Sequence, residues 1–402
     1  MSEPTTHRPP VAAVLVPGTA MIAVTFGLAR YGYGLLLPEM RTDLGMSATA
    51  AGLVSSATYV SYMAANVLVV QVTSRWGPRA AVAAAGVSAV IGMGTIAVAD
   101  SVALLAAGVL VAGAAAGFAF PPYADIVDRH VEPRRRDLVW STISSGTGWG
   151  VALAGPIAIV AGDQWRVAWS GFVILAVVSG IVATRLAPAH DDDSLRRPQL
   201  SPSWFICPRS RPLLVSAVLV GAGTSVWWAF SVDAMQTEGL GTTPARVVYA
   251  VCGAAMLLGS VSGLAFARLG LRRGYLGTIV LLAGSLALLA AATGQLAWAL
   301  VAAVLFGAFY ASVIAAHGIW SAQVFAAHPA AGLAAYSAAL TIGTLIGPAV
   351  AGIAIQQGSH ALALIGAAVT TGAAIFFCPP SERRSRVLEE HAEHCTAAPV
   401  RP

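Results

Sequence analysis

The 402-residue chain is 57% hydrophobic and only 10% charged, with a net charge of +5 and a mean hydropathy of +0.75. A soluble domain carries about 25% charged residues, so the composition excludes a water-soluble globule and requires lipid. A bilayer core about 30 Å thick takes roughly 20 apolar residues per crossing, which leaves room for about a dozen crossings and for no large soluble domain.

In chain order, residues 1–11 are polar and Pro-rich and read as a cytoplasmic tail. The apolar run that follows is too long for a secretory signal and lacks its small-residue cleavage pattern, so it reads as an uncleaved first helix. Apolar runs bounded by charge, Pro or polar clusters then predict an all-α membrane protein of twelve helices. Six fall within residues 12–187, at 12–37, 48–71, 80–99, 102–126, 138–161 and 166–186. Six more fall within 212–378, at 212–234, 244–267, 274–292, 296–322, 332–356 and 360–378. Residues 188–211 are a charged, Pro-containing linker, a solvated loop or a surface helix around Trp204, and residues 379–402 are a charged tail.

All the basic residues other than His are Arg, because the sequence has no Lys. Only Arg41, Arg166 and Arg246 fall opposite the N-terminus, and Arg30 falls inside a helix. This asymmetry places both termini in the cytoplasm of a multi-pass plasma-membrane protein. It also accounts for the basic charge through anionic headgroups, without a nucleic-acid partner. The cysteines form no Cys-x-x-Cys pair and the histidines no metal-spaced cluster, so neither a disulfide, a metal nor another cofactor is expected. A phosphate-binding Gly-x-x-x-x-Gly-Lys loop is excluded by the absence of Lys, and no Gly-x-Ser-x-Gly elbow points to an enzyme.

A basic turn occurs twice, as Arg75-Trp76-Gly77-Pro78-Arg79 and as Arg268-Leu269-Gly270-Leu271-Arg272. Nearly the same offset, within about three residues, sets Gly155-Pro156 against Gly347-Pro348, and Met40-Arg41-Thr42-Asp43 against Met235-Gln236-Thr237-Glu238. Two copies of six helices share one orientation and are related by an axis along the membrane normal. These features resemble the major facilitator superfamily of secondary transporters over nearly the whole chain. The superfamily's signature between its second and third helices reads Gly-x-x-x-Asp-Arg-x-Gly-Arg. Here Ser74 and Ala267 stand where its acidic residue belongs, so a gating role for Arg75, Arg79, Arg268 and Arg272 needs another carboxylate, with Asp128 and Asp125 as candidates.

The resemblance implies two six-helix bundles rocking about a central site. Arg30, flanked by Tyr31 and Tyr33, is the clearest intramembrane charge. It reads either as a forked donor for an anionic substrate or as an outward-snorkelling anchor. Trp149, Trp227 or its neighbour Trp228, Tyr310 and Trp320 are candidates for an aromatic wall. Asp125 and His317 occupy equivalent positions in the two copies and are candidate proton carriers. The alternatives are an ion pair of Asp125 with Arg129, Arg75 or Arg79, and a packing role for His317. Glu39 and Asp233 could close an outer gate or pair with Arg30.

Gly155-Pro156 and Gly347-Pro348 read as helix-bending elements. They look like the glycine–proline motif of exporters, with helix packing as the alternative. The expected function is proton-coupled secondary transport of a small organic solute by a monomer, with efflux of a metabolite or drug-like compound slightly ahead. Uptake of an organic anion and a non-transporting sensor are the other readings.

Overall fold

The computed structural model describes residues 11–188, 209–326 and 328–380, so most of the linker and both tails lie outside the described residues. The first stretch is α1 (Val11–Ile22), a π-helical turn (Ala23–Leu28), α2 (Gly32–Leu35) and α3 (Leu37–Leu44). Then come α4 (Ala48–Ala97), α5 (Val102–His130), α6 (Pro133–Ala161) and α7 (Trp165–Leu186). After the linker follow α8 (Arg211–Thr237), α9 (Thr242–Met256), α10 (Ser262–Leu269) and α11 (Leu271–Ala292). The last elements are α12 (Leu296–Val324), α13 (Pro329–Gln357) and α14 (His360–Ala373). Among the described residues, 10 stretches are long and apolar enough to cross a membrane, and the apolar helix His360–Phe376 is shorter.

The first predicted helix is the one that departs from expectation. Instead of running straight over 12–37 it loosens into a π turn, where Ala29 N–H reaches the Val24 carbonyl at 2.8 Å, breaks at residues 29–31 and continues to Leu44. Glycines make the detour possible by admitting neighbouring backbones. A Cβ on Gly27 would lie 2.4 Å from Gly150 Cα of α6, and one on Gly34 would lie 1.7 Å from the Trp228 carbonyl oxygen of α8. Arg30 therefore sits at a break, two residues beyond the apolar span Val11–Leu28, and not within a regular helix.

The helices before and after the linker meet at a few such crossings. Gly52 of α4 faces the Pro348 carbonyl of α13, while Gly148 and Gly155 of α6 face the Gly253 carbonyl and Ala250 of α9. Gly343 and Gly347 press on Val218 and Ala222 of α8. The glycine–proline segments are thus sites of close helix contact, and α6 and α13 run unbroken through Pro156 and Pro348.

Both basic turns adopt one backbone shape. Gly77 interrupts α4 at φ 80°, ψ 172°, and Gly270 separates α10 from α11 at φ 78°, ψ 147°. These lie in or beside a region open to glycine and costly for any L side chain. Gly77→Ala and Gly270→Ala should each destabilise the protein by about 1–3 kcal/mol, read as a lowered thermal midpoint in detergent. Alanine at Gly366, a helical position with open space around it, should leave the midpoint unchanged.

Candidate functional site

The break in the first crossing leaves Arg30 among aromatic rings. Its guanidinium carbon stands 4.6 Å from the ring centres of both Tyr59 and Tyr62 and 5.5 Å from those of Phe26 and Tyr31. Tyr59 and Tyr62 are one helical turn apart on α4, so one face presents both to the cation. No Asp or Glu forms an ion pair with Arg30 among the described residues. Its Nε is buried without a hydrogen-bond partner, an orphaned donor of a kind that folded proteins rarely leave.

The rings continue on both sides of this cation. Tyr31 stacks on Trp228 at 4.2 Å and its hydroxyl meets that of Tyr310 at 3.1 Å. The Tyr31 carbonyl accepts a 2.8 Å bond from the Tyr249 hydroxyl. Phe306 lies between Tyr310 and Trp227, stacked on both. Toward the end that carries the N-terminus, Phe26 packs on Phe120, and Phe120 on Trp140. Tyr31, Trp228 and Tyr310 are buried, whereas Tyr62, Phe120, Trp140 and Arg30 are part-exposed. Accessibility therefore falls across Arg30, from an open aromatic wall to a closed aromatic roof.

Two residues expected in the wall, Trp149 and Trp320, and Tyr33, expected beside Arg30, lie elsewhere. Trp149 is 49% exposed and shares an exposed stripe of α6 with Leu153, Pro156 and Val160, because the glycines on either side of it take the helix-facing positions. Tyr33 is buried in α2 and donates to the Ala51 carbonyl at 3.0 Å. Trp320 lies three turns along α12 from Tyr310 and packs edge-on to Tyr275. Of the adjacent tryptophans, Trp228 joins Tyr31 and Tyr310, while Trp227 stacks behind on Phe306.

Glu39 and Asp233 do not reach Arg30 but close the far end of the bundle. Asp233 Oδ2 accepts from Arg41 Nη1 and, at 2.7 Å, from His360 Nε2. Glu39 Oε1 accepts from Arg246 at 2.9 Å and from Gln236 at 3.0 Å. Arg246, expected on the outer side at the start of the helix over 244–267, is 1% exposed and also donates to the Ala158 and Gly162 carbonyls at 2.7 and 2.8 Å. Two charge clusters thus tie α3 and α6 to α8, α9 and α14 across the two sets of helices.

His317 and Asp125 have quite different surroundings. His317 is fully buried, with Nδ1 3.0 Å from the Val313 carbonyl and Nε2 2.8 Å from the Ser216 hydroxyl. Ser216 in turn meets the Tyr275 hydroxyl at 2.5 Å, which lies 3.4 Å from the Ala374 carbonyl. Asp125 pairs with Arg129 at 2.8 Å, one turn further along α5, and does not face His317. Asp128 pairs with Arg136 at 2.5 Å rather than with Arg75. Arg79 donates twice to the Ala187 carbonyl at the end of α7, at 3.0 and 2.8 Å. Arg75, Arg268 and Arg272 are exposed.

Comparison with known proteins agrees with this architecture. Residues 19–273 match the sequence profile of the Major Facilitator Superfamily. The fold is similar to that of a mutant of the nucleoside transporter NupG, with a TM-score of 0.74 and 13% identity over 90% of this chain and 98% of that one. It is also similar to a mutant of the peptide transporter POT in complex with sulfate, with a TM-score of 0.73 and 14% identity over 96% of this chain and 95% of that one. No curated protein sequence matches the chain.

Because Arg246 is buried and the Glu39 side chain is only 10% exposed, removing Glu39 leaves a buried charge uncompensated, at a cost of up to about 3–5 kcal/mol. Glu39→Leu should therefore lower the thermal midpoint sharply in detergent, and the double variant Arg246→Met/Glu39→Leu should recover most of the loss. Additive losses would show that the pair is not coupled.

Proposed function

Because the chain belongs to the Major Facilitator Superfamily, we propose that it is a proton-coupled carrier of small organic anions in which Arg30 holds the anionic group. Membership makes the protein a multi-pass membrane transporter and not an enzyme. The observation that carries the substrate class is the Arg30 guanidinium, ringed by Phe26, Tyr31, Tyr59 and Tyr62 and lacking a carboxylate partner among the described residues. A guanidinium presents a planar fork that matches a carboxylate in two parallel bonds. In a low-dielectric surrounding such a bond is far stronger than in water. The rings supply apolar surface for the body of the solute, as stacking partners for an aromatic or unsaturated acid. The single positive charge favours a monoanion and disfavours cationic compounds. Nucleoside and peptide carriers share this fold, which fits a solute of comparable size.

Alternating access exposes Arg30 to each face in turn. Two six-helix bundles, residues 12–187 and 212–378, carry twelve crossings, with α4 supplying two around Gly77. The termini are cytoplasmic in the plasma membrane, by the arginine asymmetry, and the working unit is a monomer. The Arg41–Asp233–His360 and Glu39–Arg246 clusters hold the external side shut, so they must part when that side opens. The part-exposed rings of Tyr62, Phe120 and Trp140 line the path to the cytoplasm.

His317 is the proton carrier in this scheme. With the imidazole neutral, Nδ1–H donates to Val313, Ser216 donates to Nε2, and Tyr275 donates to Ser216. With it protonated, Nε2–H donates to Ser216, Ser216 to Tyr275, and Tyr275 to the Ala374 carbonyl. Each state is fully hydrogen-bonded, so a proton can enter and leave without stranding a buried group. Asp125, already held by Arg129 at the helix surface, has no part in this chain of bonds. Uptake is taken over efflux here because a fixed guanidinium suits capture of an anion, the glycines of the glycine–proline segments being used in helix contact. Anion and proton travel together, down the inward proton gradient.

In vesicles of known orientation, an imposed proton gradient should drive accumulation of aromatic monocarboxylates and leave cationic drugs unmoved. Arg30→Lys should cut the rate at least about tenfold, since a point charge cannot replace a fork; an active Lys variant would reduce Arg30 to an anchor. His317→Asn should abolish gradient-driven accumulation while sparing anion exchange. Proton-driven accumulation surviving in that variant would remove His317 from the mechanism.

A further inference from the structure

Away from the central rings, α4 and α7 enclose an open groove with a volume of about 460 Å³. Its floor is bare because two glycines face each other: a Cβ on Gly86 would stand 3.2 Å from Gly180 Cα. Val87, Val90, Ile91, Val177 and Ile181 form apolar walls, and Thr184 and Arg185 close the end near the terminus of α7. Along the walls there is no charged group, so an apolar chain loses nothing by lying there.

The charged end has a definite character. Arg185 is exposed and forms no ion pair among the described residues. One turn before Ala83, which also lines the groove, Arg79 caps the end of α7 through the Ala187 carbonyl, two residues beyond Arg185. Trp76, 63% exposed, precedes the break at Gly77 and belongs to the amphipathic class that favours the headgroup level. No carboxylate lines the groove.

An apolar slot that ends in the Arg185 guanidinium, with Arg79 held on the Ala187 carbonyl two residues further along the chain, is complementary to a molecule with an acyl chain and a phosphate. We propose that this groove binds an anionic phospholipid of the leaflet nearest the protein's termini. One acyl chain lies along the Gly86–Gly180 floor and the phosphodiester accepts from Arg185. This site is independent of the transport site: it lies on a different pair of helix faces and uses none of the residues assigned to substrate or proton.

The test uses the purified full chain in detergent, titrated with phosphatidylglycerol or phosphatidylcholine of identical acyl chains, with retained lipid counted by native mass spectrometry. The wild type should retain the anionic lipid about fivefold better, the scale of one basic residue at a membrane surface. Arg185→Gln should erase that preference while some lipid of either kind is still held. Gly180→Leu, which fills the slot, should cut retention of both lipids. Ala83→Leu fills it from the α4 side without touching the glycine contact and should do the same, which guards against misfolding of the first filler. Equal retention of the two lipids by the wild type, an unchanged preference in Arg185→Gln, or full retention in a folded Ala83→Leu protein would each overturn the proposal.

Discussion

Helices in a bilayer gain nothing from the hydrophobic effect by exchanging lipid for one another, so association depends on dispersion contacts that fade within an ångström of separation. Close backbone approach is the constraint from which the rest of this structure follows. Gly27 against Gly150, Gly34 against Trp228, Gly52 against Pro348 and Gly148 against Gly253 are crossings at which a single methyl group would collide. Two of these glycines lie on either side of Arg30. The first crossing is drawn onto α6 at Gly27 and onto α8 at Gly34, and a regular helix does not satisfy both. The π turn and the break at residues 29–31 are the result, and π turns recur where proteins place functional groups.

Charge is distributed with similar economy. A buried ion is costly unless paired, and the buried ions at the far end, Asp233 and Arg246, both have partners. Part-exposed Arg30 differs: among the described residues it has no carboxylate partner, and aromatic side chains surround it. Cation–π contacts hold a guanidinium in place without neutralising it. A carboxylate in the same position would form an internal pair that a solute would first have to break. The cage keeps the cation oriented and leaves its charge available.

Much of the fold is legible in composition and spacing alone, because lipid imposes long apolar runs and segregated arginines on any sequence that crosses it. The paired turns are legible for a stricter reason: Gly77 and Gly270 share a backbone geometry closed to other residues, and that leaves a mark in sequence. The break at Arg30 leaves a fainter one. Gly27, Gly32 and Gly34 punctuate a run otherwise apolar enough to pass for a regular helix. Tyr59 and Tyr62 share one face of α4 by their spacing, yet nothing local to them says that a cation from the first crossing lies opposite. Trp149 is misread when its chemistry is weighed before its register; its alignment with Leu153, Pro156 and Val160 marks the outer stripe. Partners far apart in sequence, such as Arg246 with Glu39 or Ser216 with His317, leave no local pattern, since only the packed bundle brings them together.

Helix α8 carries Ser216 near one end, Asp233 near the other and Trp228 between them, and it is unbroken from Arg211 to Thr237. At 1.5 Å per residue, Ser216 and Asp233 lie about 25 Å apart along its axis. The first crossing and the stretch after α9 both contain irregular turns that can absorb a local displacement, but α8 contains none. It behaves as a stiff rod that meets the buried histidine, the aromatic roof and the outer charges at three points of one body. A small tilt imposed at one of these points reappears at the other two as a lever arm dictates, which gives three chemically unrelated contacts a common mechanical degree of freedom.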